Sequence, residues 1–272
     1  MPVTDFSFRF LGTGTSSGIP SIACSCPACT SDDPRDRRTR SGACIQFRDE
    51  GGQDRTILID TSPDLRLQAI DADLQRCDGI LFTHHHVDHI FGLDEVRRFN
   101  AVMRQSIDVY AESRTLENLR RVFLHIFEPD GNVNKSFVAR LIPNDLTPGE
   151  TIDLFGVSFT PLRLLHGRLP VLGFRIDAEG ADSCLPLAYC TDVSSFPPET
   201  WPLLSGLEVL VLDMLRPRHH PTHLTVDQAC RIAEQVGAPR TFFTHMSHDI
   251  VHGELEAELP SGMSLAWDGL TL

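Results

Sequence analysis

One short stretch of the sequence concentrates side chains that bind metal ions. It reads His-x-His-x-Asp-His and is formed by His84, His86, Asp88 and His89. In an extended segment His84 and His86 point to the same side, so both rings can reach one ion, and the following turn presents Asp88 and His89 as a second set of ligands. A surface histidine cluster is the alternative, but the apolar run at 79–82 leads directly into the motif. The stretch therefore predicts a metal site at the end of a buried strand.

A second group of ligands lies nearer the N-terminus. Cys24, Cys26 and Cys29 supply three thiolates within one loop, and a tetrahedral zinc site needs a fourth ligand from elsewhere in the chain. Three reduced surface thiols are the alternative, which is disfavoured because exposed free cysteines oxidise readily. The sequence holds eight cysteines in all, and the rest are scattered among apolar residues. The pattern predicts a metal site plus buried thiols, not a disulfide framework.

Composition limits the class of protein. The chain has 272 residues, 41% of them hydrophobic, which suits a single domain over 1–272 with ample core. Its 37 acidic and 24 basic residues give a net charge of -13, which repels a nucleic-acid backbone and makes a nucleic-acid partner unlikely. The N-terminal stretch has no positive region followed by an apolar run, and no segment is apolar enough to span a bilayer. We expect a soluble, cytoplasmic protein with no membrane partner.

The elements that must position these ligands read as two strand-rich halves with helices between them. Strands are predicted at 43–47, 56–59, 107–111, 157–165, 172–176, 185–190, 209–213 and 240–244, and helices at 92–99, 113–127 and 226–236. Polar residues stand at the strand ends: Asp60, His166, Asp192 and His245. The glycine-rich segment 12–18 predicts a tight turn and not a phosphate cradle. The charged segment 31–40 predicts an exposed loop. This pattern favours an α/β fold, an αβ/βα sandwich with a metal cleft along one edge of two mixed sheets.

The motif at 84–89 resembles the signature of the metallo-β-lactamase superfamily of dinuclear metallohydrolases. The resemblance implies the same sandwich and a ligand order that runs on through His166, Asp192 and His245. It assigns His84, His86 and His166 to one metal, and Asp88, His89 and His245 to the other, with Asp192 bridging both. It also implies that Asp60 orients a metal-bound histidine, whereas Thr61 or Ser62 ahead of Pro63 offers the alternative of a helix cap. The two active-site metals are expected to be divalent, either Mn²⁺ or Zn²⁺, because these His and Asp ligands suit both ions.

Within the superfamily, the cysteine motif and the segments His223-Leu224-Thr225 and Thr244-His245-Met246-Ser247-His248 are similar to those of the PhnP-type phosphodiesterases, relatives of the tRNA 3'-end processing endonuclease. The resemblance implies a metal-dependent phosphodiester hydrolase whose substrate is a small, anionic, cyclic phosphodiester. We expect a homodimer as the assembly. Two alternatives stay open, an RNA-processing nuclease and a non-catalytic metal-binding protein.

Charge suggests the roles in such a reaction. A phosphodiester repels hydroxide, so two cations are needed to bind its oxygens and to lower the pKa of a bridging water, with Asp88 among the groups that hold them. His223 is the candidate to stabilise the transition state or to protonate the leaving oxygen. Arg216 and Arg218 lie close by in sequence and could hold a terminal phosphate, and the alternative is that they are ordinary surface arginines.

The fourth ligand of the cysteine site is predicted to be His248. It stands three residues after His245, so one short turn would carry a cleft ligand at one end and a structural zinc ligand at the other. The alternative is that His248 caps the segment beginning at Asp249.

Overall fold

A computed structural model describes residues 3–133, 137–179 and 184–272, so the first two residues of the N-terminal stretch lie outside the described part. Its strands form two mixed sheets. The first has the order β1-β2-β3-β4-β5-β6 and contains β1 (Thr4–Gly12), β2 (Gly42–Arg48), β3 (Asp54–Ile59), β4 (Gly79–Leu81), β5 (Ile107–Ala111) and β6 (Leu141–Asp145). The second has the order β13-β12-β11-β10-β9-β8-β7 and contains β7 (Ile152–Leu154), β8 (Val157–His166), β9 (Leu169–Asp177), β10 (Leu187–Cys190), β11 (Val209–Asp213), β12 (Arg240–Thr244) and β13 (Met263–Leu265).

Helices connect these strands and cover the sheets. They are α1 (Leu65–Asp71), α2 (Val87–Ile90), α3 (Arg97–Met103), α4 (Ser113–Val122), α5 (Leu124–Phe127), α6 (Val226–Val236) and α7 (His252–Glu256). Helix α6 begins with the predicted capping box, in which Thr225 accepts from the Gln228 amide while the Gln228 side chain accepts from the Thr225 amide. In the described residues no helix is long and apolar enough to cross a membrane.

Alternation along the strands explains the layers. In β2, Ile45 packs between the two sheets, whereas its neighbour Cys44 faces the layer that holds α1, α3 and α4. In β11, Val211 packs between the sheets and Leu212 faces the layer that holds α6. Each sheet is thus buried on both faces, which requires a helix layer outside each of them. The predicted αβ/βα sandwich is confirmed.

The direction of the strands brings the polar residues at their ends together. Strands β3, β4 and β5 run parallel in the first sheet, as do β10, β11 and β12 in the second. Parallel strands end at the same edge of a sheet, and loops at that edge carry the functional side chains of open α/β folds. The segments that follow β3, β4, β10 and β12 are those that contain Asp60, His84, Asp192 and His245.

Three local predictions differ from the structure. The helix predicted at 92–99 is a 3-10 turn, Leu93–Val96, followed by α3. The helix predicted at 113–127 is broken at Phe123, whose φ of -108° and ψ of 48° interrupt it. The segment 31–40 is not wholly exposed, because the side chains of Asp36 and Arg38 are 1% and 0% exposed and form an ion pair at 2.8 Å. Charge density alone could not reveal these partners, which include carbonyl groups distant in sequence.

Candidate metal centre

The predicted histidines converge on the cleft at the strand ends. His84 lies just beyond β4, and its ring centroid is 4.5 Å from that of His86 and 5.7 Å from that of His166, the last residue of β8. The His86 and His166 centroids are 5.1 Å apart. The structure thus brings together the three side chains assigned to the first metal.

The side chains assigned to the second metal are packed more closely. The ligand atoms of Asp88, His89, Asp192 and His245 all lie within 4.8 Å of one another. Those of His84, His86 and His166 do not meet that spacing in the described residues. The difference comes partly from α2, which presents Asp88 and His89 in consecutive positions of one turn.

Asp192 lies at the centre of the cleft. Its Oδ2 is 3.2 Å from Nε2 of His89, and its Oδ1 is 3.3 Å from Nε2 of His245 and 4.0 Å from Nε2 of His84. Asp88 flanks the same group, with Oδ2 3.5 Å from Nε2 of His89 and 3.8 Å from Nε2 of His245. One carboxylate therefore faces histidines of both predicted groups, which is the position that a bridging ligand requires.

Several buried nitrogen atoms of the cleft have no hydrogen-bond partner in the described part of the chain. They are Nε2 of His84, Nε2 of His89 and both ring nitrogens of His245. Burial of a polar atom without a partner costs about 1–3 kcal/mol. Burial also lowers the pKa of His84 and His86, and lowers that of His166 to about 4, which favours the neutral imidazole that ligates metals. Unpartnered nitrogens directed at carboxylates fit divalent cations.

Groups behind the ligands fix which ring nitrogen faces the cleft. His89 Nδ1 donates to Asp60 Oδ2 at 2.7 Å, His84 Nδ1 donates to Thr83 Oγ1 at 3.0 Å, and His166 Nδ1 donates to the Thr222 carbonyl at 2.9 Å. In each ring Nε2 is left as the free lone pair. Asp60 thus lies where the resemblance placed it, and it is Ser62 that accepts from the Asp64 amide ahead of α1.

In the cleft, neighbouring charges shift the pKa values of Asp192 and His89 in the direction opposite to that of burial. Burial alone would raise the pKa of Asp192, but the charges of His245 and His89 hold it well below its usual range. Burial would likewise lower the pKa of His89, whereas the carboxylates of Asp192, Asp60 and Asp88 hold it well above its usual range. The cleft therefore stabilises carboxylates as anions, the form that binds cations.

Asp213 belongs to the site although sequence reasoning missed it. It ends β11, and its Oδ1 accepts from His223 Nδ1 at 2.9 Å while its Oδ2 accepts from the Leu224 amide at 2.9 Å. Burial would lower the pKa of His223, but Asp213 outweighs it and raises that pKa to about 9. Asp213 could have been identified from the sequence by its position at the end of an apolar run. Asp60 and Asp192 lie at similar positions.

His223 itself lies between the two ligand groups. Its ring centroid is 4.5 Å from that of His166 and 4.7 Å from that of His245. The ligand atoms of His166, Asp192 and His223 lie within 4.8 Å of one another, so the geometry admits His223 as a ligand as well as an acid.

Three of the cleft residues adopt left-handed backbone conformations. Asp60, Asp192 and His245 have φ values of 63°, 53° and 62°; Asp60 and His245 directly follow strands, and Asp192 lies two residues after the end of β10. Residues other than glycine adopt this region uncommonly, and aspartate does so more readily than most. The turn redirects each side chain from the sheet into the cleft.

The cysteine loop meets His248 as predicted. His248 Nδ1 is 3.1 Å from Cys24 Sγ, 3.6 Å from Cys26 Sγ and 3.8 Å from Cys29 Sγ. A sulfur and a nitrogen bound to one tetrahedral zinc are separated by roughly 3.6 Å, which follows from Zn–S and Zn–N lengths of about 2.3 and 2.0–2.1 Å. The four side chains therefore fit a structural zinc. The capping alternative is not what the structure shows, because Ser247 Oγ accepts from the Asp249 amide.

A buried arginine joins the same turn to the segment 31–40. Arg38 Nη1 donates to the carbonyl groups of Ser247 at 3.2 Å and Ile250 at 3.0 Å. Arg216 and Arg218, by contrast, do not face the cleft as free cations: Arg216 donates to the Arg218 and His219 carbonyls, and Arg218 contacts Asp249. Arg216 and Arg218 are therefore ordinary surface arginines, which was the alternative stated from the sequence.

The chain is similar to several known proteins. A curated Octanoyltransferase from Porphyromonas gingivalis is 34% identical over 262 residues, which are 96% of this chain and 50% of that protein. A Ribonuclease Z from Bradyrhizobium is 26% identical over 185 residues, 66% of this chain and 53% of that protein. The chain thus spans about half the length of these curated relatives. A solved structure described as a new diphosphatase from the PhnP family has a TM-score of 0.86 and 39% identity, and covers 98% of this chain and 97% of that one.

The family model of the Beta-lactamase superfamily domain matches residues 55–246. That range includes the motif at 84–89 and every other cleft ligand from His166 to His245. The resemblance stated from the motif is confirmed by this match and by the likeness to the PhnP-family structure. Since the match covers well over half of its length, the chain belongs to the β-lactamase superfamily.

Proposed function

We propose that this protein is a metal-dependent hydrolase that cleaves a small, cyclic, anionic phosphodiester at a dinuclear site. The observation that carries the proposal is the position of Asp192, whose two oxygens face His84, His89 and His245 at 3.2 to 4.0 Å. A shared carboxylate between two groups of ligands is what a pair of metals about 3.5–4 Å apart requires. Membership of the superfamily and the likeness to a PhnP-family diphosphatase support it.

The ligands of the two ions are those assigned above, with Zn²⁺ or Mn²⁺ in the cleft and Zn²⁺ on the cysteines and His248. Bound in the cleft, such ions supply Lewis-acid charge for the phosphoryl oxygens and acidify water. Asp60 and Thr83 hold the ring orientations of His89 and His84 through the bonds described above.

His223 is the residue placed to handle a proton. Asp213 binds its Nδ1, so that Nε2 is the nitrogen available to the substrate. A proton on Nε2 can pass to the leaving oxygen when the P–O bond breaks, and general-acid assistance of this kind is worth about 10² to 10⁴ in rate.

The net charge of the chain bears on the size of its substrate. With a net charge of -13 the chain is poorly suited to hold a long polyanion, which favours a small phosphodiester over RNA. Ribonuclease Z is a relative at 26% identity, and RNA processing remains the alternative function. A cytoplasmic location and a homodimer are predictions that the fold does not test.

The test compares hydrolysis of bis(p-nitrophenyl) phosphate by the parent and by Asp192→Ala, each loaded with Zn²⁺ or Mn²⁺. Loss of the shared carboxylate should lower kcat by at least about 100-fold and reduce the metal content of the cleft while leaving the fold intact. Asp54→Ala is a matched control, since this carboxylate lies on β3 and is 71% exposed. Hydrolysis by Asp192→Ala at the parent rate would contradict the dinuclear mechanism.

A further inference from the structure

Arg38 is a fully buried arginine that uses most of its hydrogen-bond donors. Its Nη1 donates to the Ser247 carbonyl at 3.2 Å and to the Ile250 carbonyl at 3.0 Å, and its Nη2 donates to Asp36 Oδ1 at 2.8 Å. Its Nε donates to the Arg35 carbonyl at 3.3 Å. A guanidinium group has five N–H donors, so these contacts occupy four of them. The position of the Arg38 side chain is therefore fixed from several directions.

The two carbonyl groups bound by Nη1 lie on either side of His248. Ser247 directly precedes His248, and Ile250 follows it two residues later. One nitrogen atom thus holds both ends of the short segment that presents the His248 ring to the thiols. Fixing this backbone beforehand reduces the conformational entropy that metal binding would otherwise have to remove.

The backbone of Arg38 holds the other side of the cysteine site. Arg38 and Ile19 form a β-bridge, in which the Arg38 amide donates to the Ile19 carbonyl at 2.9 Å and the Ile19 amide donates to the Arg38 carbonyl at 2.8 Å. Two residues further on, the Ser21 amide donates to Cys29 Sγ at 3.3 Å. One residue therefore connects the segment that enters the cysteine loop to the turn that carries His248.

The ion pair of Arg38 and Asp36 is better explained by the arrangement it fixes than by the stability it adds. The two side chains are 0% and 1% exposed, and the cost of removing both charges from water offsets most of their attraction. Asp36 Oδ1 also accepts from the His252 amide at 2.8 Å. The same buried carboxylate thus connects Arg38 to the start of α7, which follows the His248 turn.

We propose that Arg38 is a positioning residue of the cysteine site, which holds the three thiols and His248 at the spacing that zinc requires. The inference rests on the structural zinc of the proposed function, and it adds a residue that touches no metal ion. Removal of a group that orients metal ligands lowers metal affinity by about 10- to 100-fold. Arg38 should therefore act on zinc affinity, and not only on the stability of the fold.

The test uses Co²⁺ as a probe that distinguishes the cysteine site from the cleft. Protein is produced with Co²⁺ in place of its metals, and only the cysteine site gives a thiolate-to-cobalt absorption band, because the cleft ligands are histidines and aspartates. Titration with EDTA, followed by the loss of this band, measures affinity at the cysteine site alone. Arg38→Met has no N–H donor in its side chain and should weaken that affinity about 10- to 100-fold. Arg38→Lys, with one ammonium group in place of the planar fork, should lie between Arg38→Met and the parent.

Arg55→Met is the matched control. Arg55 lies near the start of β3, at the end opposite Asp60, and its side chain is 16% exposed and pairs with Asp49 at 2.8 Å and with Asp78 at 3.1 Å. Its replacement should lower the melting temperature and leave the cobalt affinity at the parental value. A purely structural role for Arg38 predicts the same behaviour for Arg38→Met.

Three results would overturn the role of Arg38: parental cobalt affinity in a folded Arg38→Met variant, an equal loss of affinity in Arg55→Met, or absence of the thiolate-to-cobalt band from the parent. The last result would also remove the structural zinc site. If Arg38→Met does not fold, Arg38→Lys decides, and parental affinity in that variant would contradict the proposal. Hydrolysis of bis(p-nitrophenyl) phosphate by the parent is measured in parallel, and its absence would contradict the proposed hydrolase without changing the cobalt result.

Discussion

Replacing Asp60 with asparagine would reverse the polarity of one buried hydrogen bond without changing the size of the side chain. Asp60 Oδ2 accepts from His89 Nδ1 at 2.7 Å and from Thr83 Oγ1 at 2.7 Å, and Oδ1 accepts from the Thr83 amide at 2.8 Å. Asparagine tolerates the left-handed φ of 63° found here. Its NH₂ group, however, must face either the His89 Nδ1–H or the Thr83 amide, and both of these are donors.

The metal affinity should fall as a result. To accept from the new amide, His89 must move its proton to Nε2, the nitrogen that lies 3.2 Å from Asp192 and 3.5 Å from Asp88. A protonated Nε2 has no lone pair for a metal. To ligate a metal, His89 in the variant must return its proton to Nδ1 without the carboxylate that accepts it in the parent, and the lost hydrogen bond to a charged group is worth about 1.5–3 kcal/mol. At about 1.4 kcal/mol per factor of ten, affinity for the ion held by His89 should fall about 10- to 100-fold.

Metal titration and metal analysis after gel filtration measure this, with Asp78→Asn as the control. Asp78 directly precedes β4, at the end opposite Thr83, and its side chain is 1% exposed. It accepts from the Thr56 amide at 2.9 Å and pairs with Arg55 and Arg76. The control should lower the melting temperature and keep the parental metal affinity. Parental affinity in Asp60→Asn, or equal loss in both variants, would refute the reasoning.

Two further variants test the roles assigned to His223 and His248. His223→Ala should keep both cleft metals and lose mainly kcat, by about 10² to 10⁴, because the residue is proposed to act on the transition state; parallel loss of metal content and activity would make it a ligand. His248→Ala should release the structural zinc and lower the melting temperature, and because His245 lies in the same turn it should also weaken the cleft. An unchanged zinc content with an unchanged melting temperature would rule out His248 as the fourth ligand.

Local spacing explains which parts of the site could be predicted from the sequence. The arrangement of the ligands at 84–89 follows from local structure alone, because a strand end followed by one helical turn brings four ligands close together. Asp192 and His245 are isolated residues, and only the order implied by the resemblance identified them. The fold followed from apolar runs long enough to be buried on both faces.

Long-range partners explain what the sequence could not provide. Asp213 is indistinguishable in sequence from any acid that ends a strand until His223 is seen at 2.9 Å. Arg38 reads as a solvated residue because its acceptors, the Ser247 and Ile250 carbonyls, lie more than 200 residues away. Helix continuity at Phe123 depends on tertiary packing, which overrides propensity.

The left-handed residues of the cleft lower the stability of the fold, but their side chains are needed for activity. Asp60, Asp192 and His245 hold positive φ values that glycine would adopt freely, and each costs of order 1–3 kcal/mol in an ordinary residue. Substitution by glycine would relieve this strain while deleting a carboxylate or an imidazole that the cleft needs. Selection for thermal stability alone would therefore favour inactive variants at these positions. Stabilising this protein without loss of the site would have to draw on residues outside these three turns.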